Sequence, residues 1–401
     1  GDDLAQIAKT HGTPRRTKLL KSAQLAPLKG TSLPEEVGTG KKAKLAMEVS
    51  DTPCWVLLSA TGQIARTPDR QAVDYSAARI KHDVLTSQVA SSARGEIGAL
   101  TSAGRIIRIS LIDVPVLPES HGFPQLAHGV PISEFLKLGK GESAVALVPL
   151  NRVIAIGTQN GVVKRVTPDY PLNRDEFEAI TLKDKDVVIA AAPADDADEL
   201  VFMTKNAQLL RFSASAVRAQ GRTGQGMAGI KLAADDEVIF FGVIPAGASD
   251  AVVATIAAGS QTLPGTSGQS VKLTEFSEFP SKGRATAGVR AHRFVKGEDH
   301  LQLAYAGQGP ARASSSAGVV RALPTEYGKR DGSGAPLAQS VNIIGGAISG
   351  GDEAPAAPAA QEPMPATAQE ALIPEPAKAK PVPSITPGED ALPFDDGGII
   401  L

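Results

Sequence analysis

The feature that most constrains the fold of this 401-residue chain is an internal repeat. Each copy has an apolar run, a two-residue turn and a second strand-like run that carries a basic residue. Two-residue hairpin turns favour Asn and Gly, because the backbone there adopts positive φ angles. The turns recur every 51 residues or so on average, a spacing of about 50 being typical of propeller blades. The six turn pairs are Thr61-Gly62, Ala103-Gly104, Asn160-Gly161, Asn206-Ala207, Ser267-Gly268 and Ala317-Gly318.

This repeat predicts an all-β fold in which six blades form a ring. Each unit has room for three or four short strands, and closing the blades into a ring leaves only short, protected strand edges. With 42% hydrophobic residues the chain can bury a sizeable core, and its single cysteine, Cys54, excludes a disulfide framework. No apolar run is long enough to predict a membrane span, so we expect a cytoplasmic protein.

The two ends of the chain differ in composition from the repeat. Leu4, Ile7 and Ala8 have helical spacing, and they predict a short N-terminal helix that ends before Gly12. The Pro-, Ala- and Glu-rich sequence from residue 346 predicts a disordered C-terminal tail. We therefore divide the chain into a helix end and linker (1–20), the ring (21–345) and the tail (346–401). Because the chain starts with Gly1, we expect a fragment or a processed protein.

The formal net charge of −2 is distributed unevenly. Residues 351–401 hold nine acidic and two basic residues, whereas the rest of the chain holds 34 acidic and 39 basic residues. A basic body suggests a polyanion as partner, and an acidic tail suggests a competitor for the same surface. The alternative for the tail is a solubilising extension.

A basic residue recurs at a fixed offset from each turn, four residues after it in five units and three residues after it in the sixth. Because side chains alternate across a strand, equal offsets place these cations on equivalent faces of successive blades. One such residue can simply guard a strand edge, but a matched set suits a long polyanion. These belt residues are Arg66, Arg108, Arg165, Arg211, Lys272 and Arg321, with Lys164 beside Arg165.

Two glycine-rich loops, at 220–226 and 282–290, add further cations. Glycine lets the backbone approach a phosphate closely, where N–H groups donate together with arginine. The alternative is a flexible link between blades. The candidate phosphate contacts in these loops are Arg222, Lys282, Arg284 and Arg290.

Other chemistry finds little support in the sequence. Residues 224–229 read G-x-G-x-x-G, but a polar loop precedes them and a short strand is predicted to follow, whereas a dinucleotide fingerprint needs a strand before and a helix after. The six histidines have no metal-ligand spacing. We therefore expect no cofactor, no metal and no catalytic residue.

The hairpin units and the loops together resemble a known family. Units ending T-x-x-G-x-x-x-R and a loop of the form G-R-x-x-x-G-V-R are similar to the C-terminal domain of the A subunit of bacterial type IIA topoisomerases, the family of DNA gyrase and topoisomerase IV. Residues 12–17, GTPRRT, are similar to the point where the family's coiled-coil arm ends and this domain begins. The resemblance covers residues 3 to 345.

This resemblance implies a six-bladed β-pinwheel that bends double-stranded DNA around its rim without base specificity. It also implies an ATP-dependent parent enzyme of the bacterial nucleoid, in which this fragment joins the rest of the A subunit and the separate ATPase subunits in a heterotetramer, with ATP and Mg²⁺ on other domains. The fragment itself is expected to cut no DNA, because no tyrosine has the context of the cleaving residue. The tyrosines are Tyr75, Tyr170, Tyr305 and Tyr327.

The resemblance also bears on the type of topoisomerase. Gyrase carries a Q-R-R-G-G-K-G box in its first blade for chiral wrapping, and residues 18–47 contain no such box. A degenerate relative lies at Gln220, Arg222, Gly224 and Gly226. This departure favours a topoisomerase IV-like protein and leaves a divergent gyrase open. From a different class, a protein-interaction propeller without a DNA role is the alternative.

Overall fold

The computed structural model describes residues 50–183, 185–261 and 268–348. The short helix predicted near the N-terminus, the boundary at residue 20 and the tail from residue 349 lie outside these residues. Gly346 and Ala347, which the sequence placed at the start of the tail, belong to the strand Ile343–Ala347.

The described residues form 23 strands and four short 3₁₀ turns. The 3₁₀ turns are Leu126–His128, Ile132–Glu134, Ala214–Ala216 and Phe276–Glu278. The strands are β1 Pro53–Ser59, β2 Gln63–Arg66, β3 Leu85–Ser92, β4 Glu96–Thr101, β5 Arg105–Ser110, β6 Val130–Pro131, β7 Ala144–Val148, β8 Ile154–Thr158, β9 Val162–Val166, β10 Glu176–Glu178, β11 Val188–Pro193, β12 Glu199–Thr204, β13 Gln208–Ser213, β14 Ala219–Gln220, β15 Met227–Ala228, β16 Val238–Ile244, β17 Ala251–Ala258, β18 Ser270–Glu275, β19 Val289–Arg290, β20 His300–Ser314, β21 Val320–Arg321, β22 Ala335–Pro336 and β23 Ile343–Ala347.

The strands of the first four repeats form four sheets of the same design. In each sheet a hairpin and a third strand come from one repeat, and a short strand from the next repeat covers the free edge of the hairpin. The strand orders are β3-β1-β2-β6, β10-β5-β4-β7, β11-β8-β9-β14 and β16-β12-β13-β19, and β15 also pairs with β9. Each repeat therefore completes the sheet before it.

The described residues contain five sheets, so the prediction of six separate blades is wrong in number. The fifth sheet has the order β21-β20-β17-β18-β22, and β23 pairs with β20. β20 is continuous for 15 residues. Its first half pairs with β17 of the fifth repeat, and its second half pairs with β21 and β23 of the sixth. Because β20 pairs with strands of both repeats, the fifth and sixth repeats form a single sheet.

One backbone hydrogen bond nevertheless recurs in all six repeats. In each case a loop N–H of one repeat donates to a carbonyl at or next to the hairpin turn of the preceding repeat, at 2.8 to 3.0 Å. The sixth of these bonds joins the first repeat to the last, so the ring is closed. The donor and acceptor pairs are Ile132 and Gly62, Ala179 and Gly104, Gly229 and Gly161, Ala291 and Ala207, Leu337 and Gln269, and His82 and Gly318.

The junction between the last and the first repeat, here called the closing seam, also holds a buried ion cluster. Arg312 Nη1 lies 3.1 Å from Asp83 Oδ2, and these side chains are 1% and 0% exposed. Arg79 donates to the same carboxylate and to the carbonyl of Ala313. The guanidinium of Arg312 also lies over the ring of Phe123, 4.8 Å from its centroid. The seam is therefore held by charge as well as by hydrogen bonding.

The hydrophobic core lies between neighbouring sheets. One cluster joins Val56 of the first sheet to Ile97 of the second, and another joins Val163 of the third sheet to Phe202 and Phe241 of the fourth. Since both faces of the sheets are covered, inner strands are continuous apolar runs, as in β8, which is buried at all five positions.

An ion pair in the second repeat makes stability sensitive to acid. The Arg105 guanidinium donates to Glu142 at 2.7 and 2.8 Å and lowers the pKa of this carboxyl from 4.5 to about 2. Because the pKa is lowered by folding, the stabilisation is complete above pH 4.5 and is lost as the pH falls towards 2.

We therefore expect the unfolding free energy of wild type to fall more between pH 5 and 2 than that of Glu142→Gln, in urea titrations. Glu134→Gln, at an exposed site, is the control and should follow wild type. Parallel curves for wild type and Glu142→Gln would contradict this.

Candidate nucleic-acid interface

Four belt arginines, Arg66, Arg108, Arg165 and Arg211, occupy equivalent strand positions, whereas Arg321 lies one position nearer its turn; all of them contact protein groups. Arg108 Nη1 lies 3.1 Å from Glu96 Oε2, and Arg165 Nη1 lies 2.6 Å from Asp196 Oδ1. Arg211 lies 3.4 Å from a Glu199 oxygen and over the ring of Phe276.

These arginines also reach the loop that arrives from the next repeat. Arg66 Nε donates to Val114, Arg108 donates to the carbonyls of Pro171 and Arg174, and Arg165 donates to those of Ala214 and Val217. The equal offsets thus have a structural explanation, since each arginine holds an equivalent loop. Arg321 instead donates to Ser340 and to its neighbour Val320. Contact of the belt residues with DNA stays a prediction.

Two buried lysines, each three residues after the recurring acceptor and therefore on the opposite face of the strand from Arg165 and its equivalents, hold loops more completely. Lys164 is fully buried, and its ammonium donates to the carbonyls of Ala179, Arg222 and Gly224 at 2.6 to 2.8 Å. Lys272 is 4% exposed and donates to the carbonyls of Lys329, Arg330 and Gly332. An ammonium has three donors, so neither lysine has one left for a phosphate.

Counting back along the loops reveals an equivalent position that the sequence did not show. Seven residues before the recurring N–H donor, each loop has a residue that we call the tip. In the fourth, fifth and sixth repeats the tip is an arginine. In the first three it is not charged, and Leu172 of the third repeat is 93% exposed. The tips are Tyr75, Gln125, Leu172, Arg222, Arg284 and Arg330.

The loops that carry the tip arginines are joined edge to edge. Lys231 N donates to Thr286 O at 3.0 Å, and Arg293 N donates to Gly332 O at 3.0 Å. Arg330 Nη1 also donates to the carbonyl of Arg290 at 3.3 Å. Residues 220–231, 282–293 and 328–334 therefore form a continuous surface, here called the ridge.

The ridge is basic because its first two loops contain no carboxylate. Residues 212–234 and 279–297 together hold eight lysines and arginines and no aspartate or glutamate. In contrast, residues 167–187 of the third repeat hold six acidic and three basic residues. Lys282 and Arg290 are exposed, and the side chain of Arg222 makes no hydrogen bond or ion pair with the described residues. The basic surface is thus concentrated on the last three repeats.

The glycines of the ridge allow the loops to lie against the preceding sheet. Gly226 has φ +76°, and a Cβ there would be 2.6 Å from the carbonyl oxygen of Val163. Gly288 has φ +80°, and a Cβ there would clash with the carbonyl oxygen of Leu209. In the degenerate box, Gln220 O accepts from Thr167 N, and Gly224 O accepts from Lys164. The backbone of the box residues therefore fixes the loop on the third sheet. The side chain of Arg222 makes no hydrogen bond or ion pair with the described residues.

Sequence reasoning missed the third ridge loop. Residues 328–334, GKRDGSG, have the glycine and basic pattern of the other two loops and carry Lys329 and Arg330. An alignment of the three loops on their glycines would have found it.

Within the described ranges, no three His, Cys, Asp or Glu side chains are grouped to hold a metal ion. No helix of the described chain is long and apolar enough to span a membrane.

Comparison with known proteins finds similarity to one family over part of the chain. The family model described as "DNA gyrase C-terminal domain, beta-propeller" matches residues 198–245 and 266–302, which include the first two ridge loops. The A subunit of DNA gyrase from Mycobacterium tuberculosis is 25% identical over 298 residues, which are 72% of this chain and 32% of that protein. By these matches the chain is similar to the C-terminal domains found in the A subunits of type IIA topoisomerases. The A subunit of DNA gyrase from Salmonella typhimurium is 31% identical over 222 residues, which are 53% of this chain and 23% of that protein.

Two solved structures share the fold of this chain. The C-terminal domain of DNA topoisomerase IV superimposes with a TM-score of 0.57 at 18% identity, covering 74% of this chain and 93% of that one. The DNA gyrase A C-terminal domain superimposes with a TM-score of 0.50 at 14% identity, covering 74% and 100%. The chain spans less than a third of the length of the gyrase proteins it matches.

Proposed function

We propose that this domain binds duplex DNA along the ridge and bends it, without preference for base sequence. The observation that carries the proposal is the run of three tip arginines on consecutive joined loops, two of which contain no carboxylate. Phosphate contacts of this kind position a duplex and carry no sequence information directly. Lys282 and Arg290 add charge beside the tips.

The position of the basic surface favours partial bending over complete wrapping. The tip arginines occupy three of six repeats, and the loop of the third repeat has an excess of acidic residues, which would repel phosphates. Together with the missing box in residues 18–47, this favours a topoisomerase IV-like protein over gyrase. We further propose that the parent enzyme is an ATP-dependent bacterial topoisomerase in which this domain acts beside the DNA-cleaving part of its own subunit and a separate ATPase subunit. Comparing supercoiling with decatenation by that enzyme would separate the two types.

The dependence of binding on duplex length tests the proposal directly. Bending 20–30 base pairs by 40–90° costs about 1–6 kcal/mol, so several loops must engage the duplex together. We expect the affinity for duplexes of 10, 20, 30 and 40 base pairs to rise steeply until the whole ridge is covered and then to level off, in fluorescence anisotropy at fixed salt. If about six phosphates are neutralised, log affinity falls against log salt with a slope near −5. Equal affinity at all lengths would contradict bending, and no binding at low salt would favour the protein-interaction alternative.

A further inference from the structure

The buried lysines Lys164 and Lys272 contact the backbone of the residues that carry the tip arginines. Of the three carbonyls around Lys164, one belongs to Arg222 itself and one to Gly224. The carbonyls around Lys272 include that of Arg330. In both cases a buried ammonium in one sheet fixes the loop from the next repeat at its tip.

Substituting either lysine would remove a charged donor from three carbonyls, of which Gly224 O and Gly332 O would keep a backbone N–H donor. Burial lowers the pKa of each lysine to about 8, so both remain mostly charged at pH 7. A charged donor makes stronger hydrogen bonds than a neutral one, and three of them at one point hold the loop backbone in a single arrangement. A loop ordered in advance loses less conformational entropy when it binds a ligand.

The middle ridge loop is held in a different way and provides an internal comparison. The residue equivalent to Lys164 in the fourth repeat, three positions after the turn, is Leu210. The loop that crosses it is fixed instead by Arg284, whose Nη1 donates to the carbonyl of Ala228 at 2.5 Å, and by the Lys282 N–H, which donates to Arg211 O at 3.0 Å. Among the three ridge loops, those of Arg222 and Arg330 are therefore the ones held by a buried lysine ammonium.

We propose that Lys164 and Lys272 are positioning residues for DNA binding, Lys164 acting through Arg222 and Lys272 through Arg330. The proposal rests on the DNA-binding function proposed above. Neither lysine touches the duplex; each presents the arginine of the overlying loop in the orientation that a phosphate requires.

A double-mutant cycle tests this coupling. Arg222→Gln removes one phosphate contact, which at about 0.1 M salt weakens binding of a 30-base-pair duplex roughly eightfold. Lys164→Met keeps the size of the side chain and is expected to weaken binding by a similar factor. Because both changes remove the same contact, the double variant should be no weaker than about eightfold. The matched control is Lys164→Met with Arg330→Gln, whose effects should multiply to roughly sixtyfold.

The outcomes separate failure of this inference from failure of the proposed function. Multiplying effects in the pair of Lys164 and Arg222, or no effect of Arg222→Gln on a domain that binds DNA, would overturn the inference and leave the function in place. Absence of DNA binding by the wild-type domain would overturn both. If Lys164→Met does not fold in thermal melts, Lys272→Met with Arg330→Gln carries the same test. Loss of folding in both methionine variants would overturn the inference, since the lysines would then determine the fold rather than the loop.

Discussion

Replacing Arg222, Arg284 and Arg330 together with glutamine is expected to weaken binding of duplex DNA several hundredfold at about 0.1 M salt. Each phosphate contact contributes about 0.9 to the slope of log affinity against log salt, so the slope should become shallower by about 2.7. The sheets should be unaffected, because the three side chains are half-exposed and lie in loops, although the hydrogen bonds from Arg284 to Ala228 O and from Arg330 to Arg290 O are lost. Anisotropy titrations at several salt concentrations measure both quantities.

The matched control for this experiment removes the same charge from elsewhere. Arg94, Lys137 and Lys140 are exposed and lie outside the ridge. Their joint replacement with glutamine should change affinity only through the net charge of the domain, by a few-fold, with nearly the wild-type slope. Equal losses in the two triple variants would mean that DNA responds to overall charge, and the ridge would then have no special role.

Asp83→Ala at the closing seam is expected to destabilise the domain by about 3–5 kcal/mol, because it leaves the buried charge of Arg312 without its partner. Urea unfolding gives the loss in stability. Small-angle scattering should show an increase in maximum dimension, since the first and last repeats are no longer held by the ion cluster.

Asp195→Ala is the control for this variant. Its partner is Arg152, and both side chains are at least one-third exposed, so the loss should be below about 1 kcal/mol. A cost for Asp83→Ala no greater than that of the control would show that the seam does not depend on its ion cluster.

Much of the fold could be predicted from the turns. Gly161 has φ +79°, Gly62 has φ +85°, and Ala207 adopts a positive φ at the same place in the fourth repeat. The preceding residues Thr61, Asn160 and Asn206 have no positive φ, so the hairpins are found where the sequence predicts them but their turns are not the primed two-residue type. Ser267 lies outside the described residues, so its turn is not tested. The number of sheets could not be predicted, because Gly307 and Gly309 within β20 suggest a break between repeats and the strand continues through them.

The site was harder to predict, for a physical reason. Equal offsets indicate an equivalent environment, but they do not say whether a side chain such as Arg165 faces solvent or the loop of the next repeat. The tip position is visible only through the recurring hydrogen bond. From the turn residue Gly161 to the tip Arg222 there are 61 residues, whereas from Ala207 to Arg284 there are 77, so no fixed period along the chain leads from one arginine to the next.

The exchange of short strands between repeats has a consequence for how the domain can change in evolution. Within the described residues, the hairpins of the first five repeats are each covered at one edge by a short strand from the next repeat, so none of these five repeats is self-sufficient. Deleting a segment that runs from one blade boundary to the next would leave one hairpin without its covering strand. It would also leave one covering strand without the hairpin that it pairs with. A repeat can be lost or duplicated without damage only when both boundaries of the change lie at the same point of two successive hairpin turns. Each covering strand then still has a hairpin edge to pair with.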